Sequence, residues 1–345
     1  MHQIGITTTV PIEVLLAAGY SPLDLNNVFI GDPDPQRLVR LAEKAGFPQN
    51  CCTWIKGIYG VCVDRAIENV FCVTTGDCSN TIMLMEVLKL KGFRVFPFAY
   101  PDIPNAHRMA HALEALAQRL GTDLETAESV RAELLECRRL CHTLDELTWK
   151  EDLVGGGENH LWLVSSSDFE GDHRQYKVRL EEFIERSRSR STFPGDMLRL
   201  AYIGVPPIFA PDLYSFLEQN GARVVFNEVQ RQFSMPHHGS CLAEQYASYT
   251  YPYSIFDRVN DIIPELERRG VEGVIHYVQS FCHRAIGDII FREKVKPPIL
   301  TMEGNDSYVL TEHNRTQVEA FLAVLRHRRR LQQGRAPGKK KEGVT

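Results

Sequence analysis

The tightest constraint on the fold is a grammar that the chain repeats: apolar run, small-residue turn, helical stretch, apolar run. From residue 69 it reads "NVFCVTT", "GDCSNTIMLMEVLKLKG" and "FRVFPFAYP". The first run is β-branched and aromatic, the middle has helical apolar spacing, and the last is apolar again. The order returns in "RLAYIGVPPIFAPDLYSFLEQNGARVVFNEV" (199–229) and "VEGVIHYVQSFCHRAIGDIIFREKVKPPILTMEG" (271–304). Each is a βαβ unit. Such units build parallel sheets whose crossover helices cover the sheet faces, so the chain is predicted to be an α/β protein.

Its 345 residues are too many for one comfortable core and suit two domains. A hydrophobic fraction of 43% supplies enough apolar surface to order them. Residues 106–150 carry Ala, Leu, Glu and Arg at helical spacing with no strand signal, and "EEFIERSRSRSTFPGD" (181–196) reads as a charged helix ending in a turn. The expected organisation is an N-terminal α/β lobe over 1–105, a helical connector region over 106–196, a C-terminal α/β lobe over 197–328, and a disordered basic tail over 329–345.

A formal charge of −5 gives no field suited to nucleic acid or an anionic membrane, and neither partner is expected. The first twenty residues lack the basic start and cleavage pattern of a signal peptide. No stretch approaches the roughly 20 apolar residues of a membrane span, so a cytoplasmic protein is expected.

In that compartment nine cysteines point away from disulfides and toward metal or redox chemistry, although most buried cysteines simply fill space. Cys78 follows one strand and precedes a helix; Cys282 repeats the position. Each lies 17 residues before the first core residue of the next strand, Val95 and Ile299. That edge is where open α/β sheets bind ligands. Helix N-termini favour thiolate, the metal-binding form. A third thiol from "QNCCTWIKGIYG" (49–60) completes a triangle if the lobes face each other. The spacing is too long for a zinc knuckle and fits a cluster held between domains. Thiolates select iron–sulfur clusters, zinc or Cu(I), and three are one short of the usual four of a [4Fe–4S] cluster, which leaves one iron open.

Other residues read more blandly. Cys62 and Cys72 sit in apolar runs, and Cys137 and Cys141 share a face of the connector helix. His237, His238 and Cys241 fall in the Pro/Gly loop "MPHHGSC". His276 is expected to pack or hydrogen-bond, and His283 to donate toward a cluster sulfur or substrate. Trp54 and Lys56 are expected to shield a cluster and offset its charge. Glu303 is a candidate carboxylate at the mouth of the last strand. "TTGDCSNT" lacks the P-loop lysine pattern, so ATP hydrolysis by this chain is excluded.

The stretches "ITTTVPIEVLLAAGYSPLDLNN", "CCTWIKGIYG", "TTGDCSNT", "ENHLWLVSSSDF", "YIGVPPIF", "NEVQRQFSMP" and "HYVQSFCHR" resemble the 2-hydroxyacyl-CoA dehydratase family, a relative of benzoyl-CoA reductase subunits and double-cubane cluster proteins, over nearly all of residues 1–325. The resemblance implies two flavodoxin-like lobes and a [4Fe–4S] cluster on Cys52, Cys78 and Cys282. It implies a separate ATP-dependent iron–sulfur activator that delivers one electron, under anaerobic conditions, to a 2-hydroxyacyl-CoA thioester. The ketyl radical so formed expels the hydroxyl group, and the electron is recycled: a lyase reaction. The chain is shorter than a typical subunit, which leaves homodimer and heterodimer open. It also leaves open an [8Fe–9S] double-cubane reductase or electron-transfer component for a small non-CoA substrate. That cluster needs about six thiolates, with Cys51, Cys72, Cys241, Cys137 or Cys141 as spare candidates.

Overall fold

The repeated apolar runs become two four-stranded sheets, each wholly parallel, in a computed structural model that describes residues 2–207, 210–304 and 308–334. The first half runs β1 (His2–Ile6), α1 (Ile12–Ala17), β2 (Tyr20–Asp24), α2 (Leu25–Ile30), α3 (Pro35–Lys44), α4 (Thr53–Asp64), β3 (Asn69–Thr75), α5 (Asn80–Leu90) and β4 (Arg94–Ala99). Then α6 (Ala106–Leu120), α7 (Leu124–Trp149), α8 (Gly156–Ser165) and α9 (His173–Arg188) follow without a strand. The second half runs β5 (Leu198–Gly204), α10 (Ala210–Gln219), β6 (Ala222–Asn227), α11 (Glu228–Phe233), α12 (Leu242–Ser248), α13 (Ile255–Arg268), β7 (Gly273–Gln279), α14 (Asp288–Lys294), β8 (Ile299–Gly304) and α15 (Glu312–Gly334).

Strand orders are β2-β1-β3-β4 and β6-β5-β7-β8, the same order twice. It is the flavodoxin order with four strands, and it reverses direction between β1 and β3 and between β5 and β7. The two lobes are therefore flavodoxin-like, as the resemblance implies. Every residue of β6 is buried, as expected of a parallel strand covered on both faces.

Local chemistry sets the helices that matter for the site. Asp34 caps α3, accepting from the Arg37 N–H at 3.1 Å, and Pro35 occupies the first helical position, where its missing N–H costs nothing. Helix α4 is buried along most of its length because glycine lets it approach its neighbours. A methyl group at Gly60 would lie 2.2 Å from the Leu38 carbonyl oxygen, and one at Gly57 would meet the Phe29 ring at 2.5 Å. The α3–α4 contact is thus backbone against backbone. It fixes the start of α4, whose N-cap residue is Cys52.

Helix α7 braces both halves. Its Arg138 meets Glu13 of α1 at 2.6 Å with both side chains buried, and Glu13 also accepts from Tyr246 at 2.6 Å and Gln245 at 2.8 Å. Two turns later Asp145 pairs with Arg269, just beyond α13, at 2.5 Å. Buried ions survive only with such partners.

The C-terminus departs from its expected boundary: α15 continues through Gly334, so residues 329–334 of the expected tail are helical. Arg329 holds Glu272 there at 2.7 Å. Residues 335–345 lie outside the described residues. Among the described residues no helix is long and apolar enough to cross a membrane.

Candidate functional site

In a parallel sheet every strand ends on the same edge, and the two sheets here turn that edge toward each other. The loop after β1 supplies Thr7, Thr8 and Thr9, and β2 ends in Asp24. Asp77 and Cys78 follow β3, Val205 follows β5, α11 after β6 supplies Val229, and Gln279 and Cys282 come from the end of β7. These residues line one cavity of about 100 Å³. Backbone groups hold its walls in register: the Val73 N–H donates to Thr7 Oγ1 at 3.2 Å, and Asn26 Nδ2 donates to the Thr7 carbonyl at 3.0 Å.

Cys52, Cys78 and Cys282 all line this cavity. Each sits where a helical segment begins: Cys52 caps α4, Cys78 lies in the turn before α5, and Cys282 precedes a 3₁₀ turn, His283–Gly287, leading into α14. Phe281, immediately before Cys282, has a φ of 64°, a left-handed conformation that costs a non-glycine residue about 1–2 kcal/mol. Strain of this kind collects at functional loops.

The expectation that helix starts favour thiolate does not hold for the free thiols. Burial pushes Cys52 up to about 12, against the opposing pull of the Ile55 and Trp54 N–H groups. Burial likewise raises Cys78 to about 11, with the charge of Asp77 adding to it, and raises Cys282. Desolvation of the anion outweighs the few N–H groups that face it. A cation or cluster on the sulfurs would supply the missing compensation.

Among the described residues no three His, Cys, Asp or Glu side chains close around a single metal ion. Tetrahedral zinc at its usual bond length requires sulfurs about 3.8 Å apart. A cubane spreads its thiolates over different irons and needs no such closeness.

Charged groups flank the thiols. Burial pushes Asp77 up to about 6, while the Arg284 guanidinium pulls it down. Arg284 Nη2 lies 3.3 Å from both the Gly76 and the Tyr251 carbonyl oxygens, and the guanidinium carbon stands 4.2 Å from the Tyr251 ring centre. Asp24 accepts from Ser167 at 2.6 Å, and its own N–H donates to Asp168 at 2.7 Å. Trp54 lines the cavity, its ring meeting Phe29 edge-on at 5.6 Å, with an indole N–H that is sealed from solvent and has no acceptor among the described residues.

The remaining candidates fall elsewhere. Lys56 is not among the residues lining the cavity; it donates to Glu43 at 2.9 Å and the Gln49 carbonyl at 3.0 Å, and its charge acts on Cys51 rather than on the three cavity thiols. His276 is buried and meets Asp288 at 2.7 Å, a packing role. His283 reaches the cavity rim, where burial and Arg284 hold it below the usual histidine range. Glu303 is exposed, accepts from Ser280 at 2.8 Å, and is not among the residues lining the cavity. His237 pairs with Asp261 at 2.9 Å, His238 presents its carbonyl to Arg131, and Cys241 caps α12. Cys62 and Cys72 are buried in one apolar cluster. Cys137 and Cys141 face α9, their sulfurs 3.3 Å from the His173 carbonyl and the Tyr176 hydroxyl. Cys51 is half-buried beside Cys52.

A protein-family model described as 2-hydroxyglutaryl-CoA dehydratase, D-component, matches residues 7–325, which include β2 to β8 and all three cavity cysteines. The chain belongs to the 2-hydroxyglutaryl-CoA dehydratase D-component family. No curated protein matches it. As a D-component it has a dehydratase-type, enzyme-related role, in a family of iron–sulfur proteins.

Several D-component cavity residues escaped sequence reasoning: Thr7–Thr9, Asp24, Asp77 and Arg284. Two carried a signal, since Asp77 and Arg284 lie within two residues of Cys78 and Cys282. The threonines and Asp24 follow from the strand-edge rule once it is applied to every strand rather than only to those followed by cysteine.

Proposed function

We propose that the chain is the iron–sulfur component of a 2-hydroxyacyl-CoA dehydratase-like lyase, with Cys52, Cys78 and Cys282 as the protein ligands of one [4Fe–4S] cluster. The observation that carries this reading is the meeting of three thiols, far apart in the chain, on one cavity at the facing edges of two sheets. The donor set suits a soft iron centre. Backbone N–H groups act on each thiol in the direction that favours thiolate, and Arg284 does the same for Cys282. The Trp54 N–H, which has no acceptor among the described residues, gives the wall a spare donor.

Once loaded, such a cluster supplies a single electron, received from a separate ATP-dependent activator, and an iron open to an oxygen ligand. The chain's own residues bind and orient. Thr7 and Thr8 offer hydroxyl groups to a thioester, while Ile55, Ile58 and Val229 keep water from the reacting carbon. The reaction removes the α-hydroxyl and a β-hydrogen as water and consumes no electron overall. The second subunit, identical or different, belongs to the same reading.

The four-iron form is favoured over a double cubane, which needs about six thiolates. Three cysteines line the cavity; Cys72, Cys137 and Cys141 lie in apolar cores. Anaerobic incubation of the loaded protein with activator, ATP and a 2-hydroxyacyl-CoA tests the reading. Enoyl-CoA should form with electrons used only catalytically. Stoichiometric electron consumption would indicate a reductase instead, and no conversion by a fully loaded protein would contradict the lyase assignment.

A further inference from the structure

The strand-free middle of the chain carries a side-chain pair that the thiol cavity does not use. Helix α6 follows β4. Asn105 caps it, accepting from the Arg108 N–H at 3.0 Å, and Met109, Leu113, Leu116 and Ala117 fill its buried face. His107, His111 and Glu114 are exposed. Their spacing of i, i+4 and i+7 lines them up along one stripe of the helix.

The two imidazoles meet through the same ring nitrogen. His107 Nε2 and His111 Nε2 stand 3.3 Å apart, with the ring planes at 76°. Tetrahedral zinc, with Zn–N bonds of about 2.0–2.1 Å, needs two of its nitrogens about 3.3–3.4 Å apart; a right-angled pair on an octahedral ion at the same bond length needs about 2.9 Å. The observed separation is that of two ligands on one tetrahedral ion.

The far side of the His111 ring has a partner of the right kind. The Glu114 carboxylate stands 3.7 Å from His111 Nδ1. A carboxylate there favours the tautomer with its proton on Nδ1 and leaves the Nε2 lone pair free, the usual arrangement of a metal-bound histidine. Arg108, the cation next to His107, is held by Asp102.

We propose that His107 and His111 form a zinc site on the exposed face of α6, independent of the cavity thiols, with Glu114 orienting His111. Imidazole suits zinc and related transition ions, whereas Mg²⁺ and Ca²⁺ take oxygen ligands. Among the described residues no third His, Cys, Asp or Glu closes on the same point, so water completes the coordination and the ion binds reversibly. Bridging one turn, the ion stabilises the start of the helix that leads from β4 toward α7.

The test titrates the untagged full chain, purified anaerobically and stripped of loosely held metal, with Zn²⁺, beside His107→Ala and His111→Ala. Both positions are exposed and alanine is the best helix former, so the variants should keep the fold. The parent is expected to show a Zn²⁺ site that either substitution weakens at least about tenfold, and Mg²⁺ should not compete for it. X-ray absorption at the zinc edge separates this site from the cysteines: the zinc lost in the variants should have nitrogen and oxygen neighbours at about 2.0–2.1 Å and no sulfur at about 2.3 Å. Glu114→Gln should weaken binding by less than either histidine change, and unchanged affinity there overturns the orienting role. No Zn²⁺ uptake, equal uptake by the parent and both alanine variants, or purely sulfur ligation overturns the site and leaves the contact a hydrogen bond between two imidazoles.

Discussion

Arg284 reaches 3.3 Å across the seam between the two sheets to the carbonyl oxygen of Gly76. Each end of that contact lies two residues from a cavity thiol, Cys282 on one side and Cys78 on the other. Gly76 itself sits at a φ of 95°, and a methyl group there would lie 2.6 Å from Pro252. The contact therefore joins the two loops that carry these thiols.

Replacing Arg284 should separate guanidinium geometry from charge. Arg284→Ala removes the contacts to two carbonyls and the nearest cation to Asp77, and is expected to cost about 1–3 kcal/mol in denaturant unfolding. Arg284→Lys keeps the charge without the planar guanidinium over the Tyr251 ring and should fall between. Equal stability of all three proteins would contradict the bracing role.

The buried pair of Glu13 and Arg138 joins α1 to α7. Glu13→Gln leaves a buried guanidinium without its counter-charge and is expected to cost about 3–5 kcal/mol. Unfolding curves compared with Glu13→Gln/Arg138→Met should show partial recovery in the double variant. A single variant as stable as the parent would count against the pair.

How much of this was legible beforehand follows from the physics of each element. The βαβ units were readable because parallel strands buried on both faces are continuous apolar runs, as in β6 and β7. Cys78 and Cys282 were readable because strand edges fall at fixed places in such units. The start of α4 was not, because the helix depends on Gly57 and Gly60 packing against residues from elsewhere in the chain. Thiol protonation was misjudged for the same reason, since local sequence shows the helix start but not the depth of burial. Lys56 was misplaced because its acceptor, Glu43, lies on a different helix.

Gly60 offers a direct check of that helix contact. Gly60→Ala puts a methyl group against the Leu38 backbone, which has no flexible end to move aside. A loss of about 1–3 kcal/mol is expected from overpacking. Thermal unfolding indistinguishable from the parent would show that α3 and α4 have more room than described.

Asp168 gives the fold a pH dependence. Burial and the charge of neighbouring Asp24 push its pKa up to about 7, above the unfolded value near 4. The folded state keeps a proton that the unfolded chain has released, so stability falls as pH rises from about 4 to about 7 and levels off beyond. Asp168→Asn should flatten that slope in urea unfolding across the window. A slope unchanged in the variant would place its origin elsewhere.

Iron and acid-labile sulfide counted per chain after anaerobic reconstitution, in the parent and in Cys52→Ser, Cys78→Ser and Cys282→Ser, bear most directly on the central assignment. About four of each are expected in the parent, with content and the visible cluster absorption sharply reduced in every variant while the fold is retained. A parent that takes up no iron, or three variants that load as fully as the parent, would contradict the assignment of these thiols.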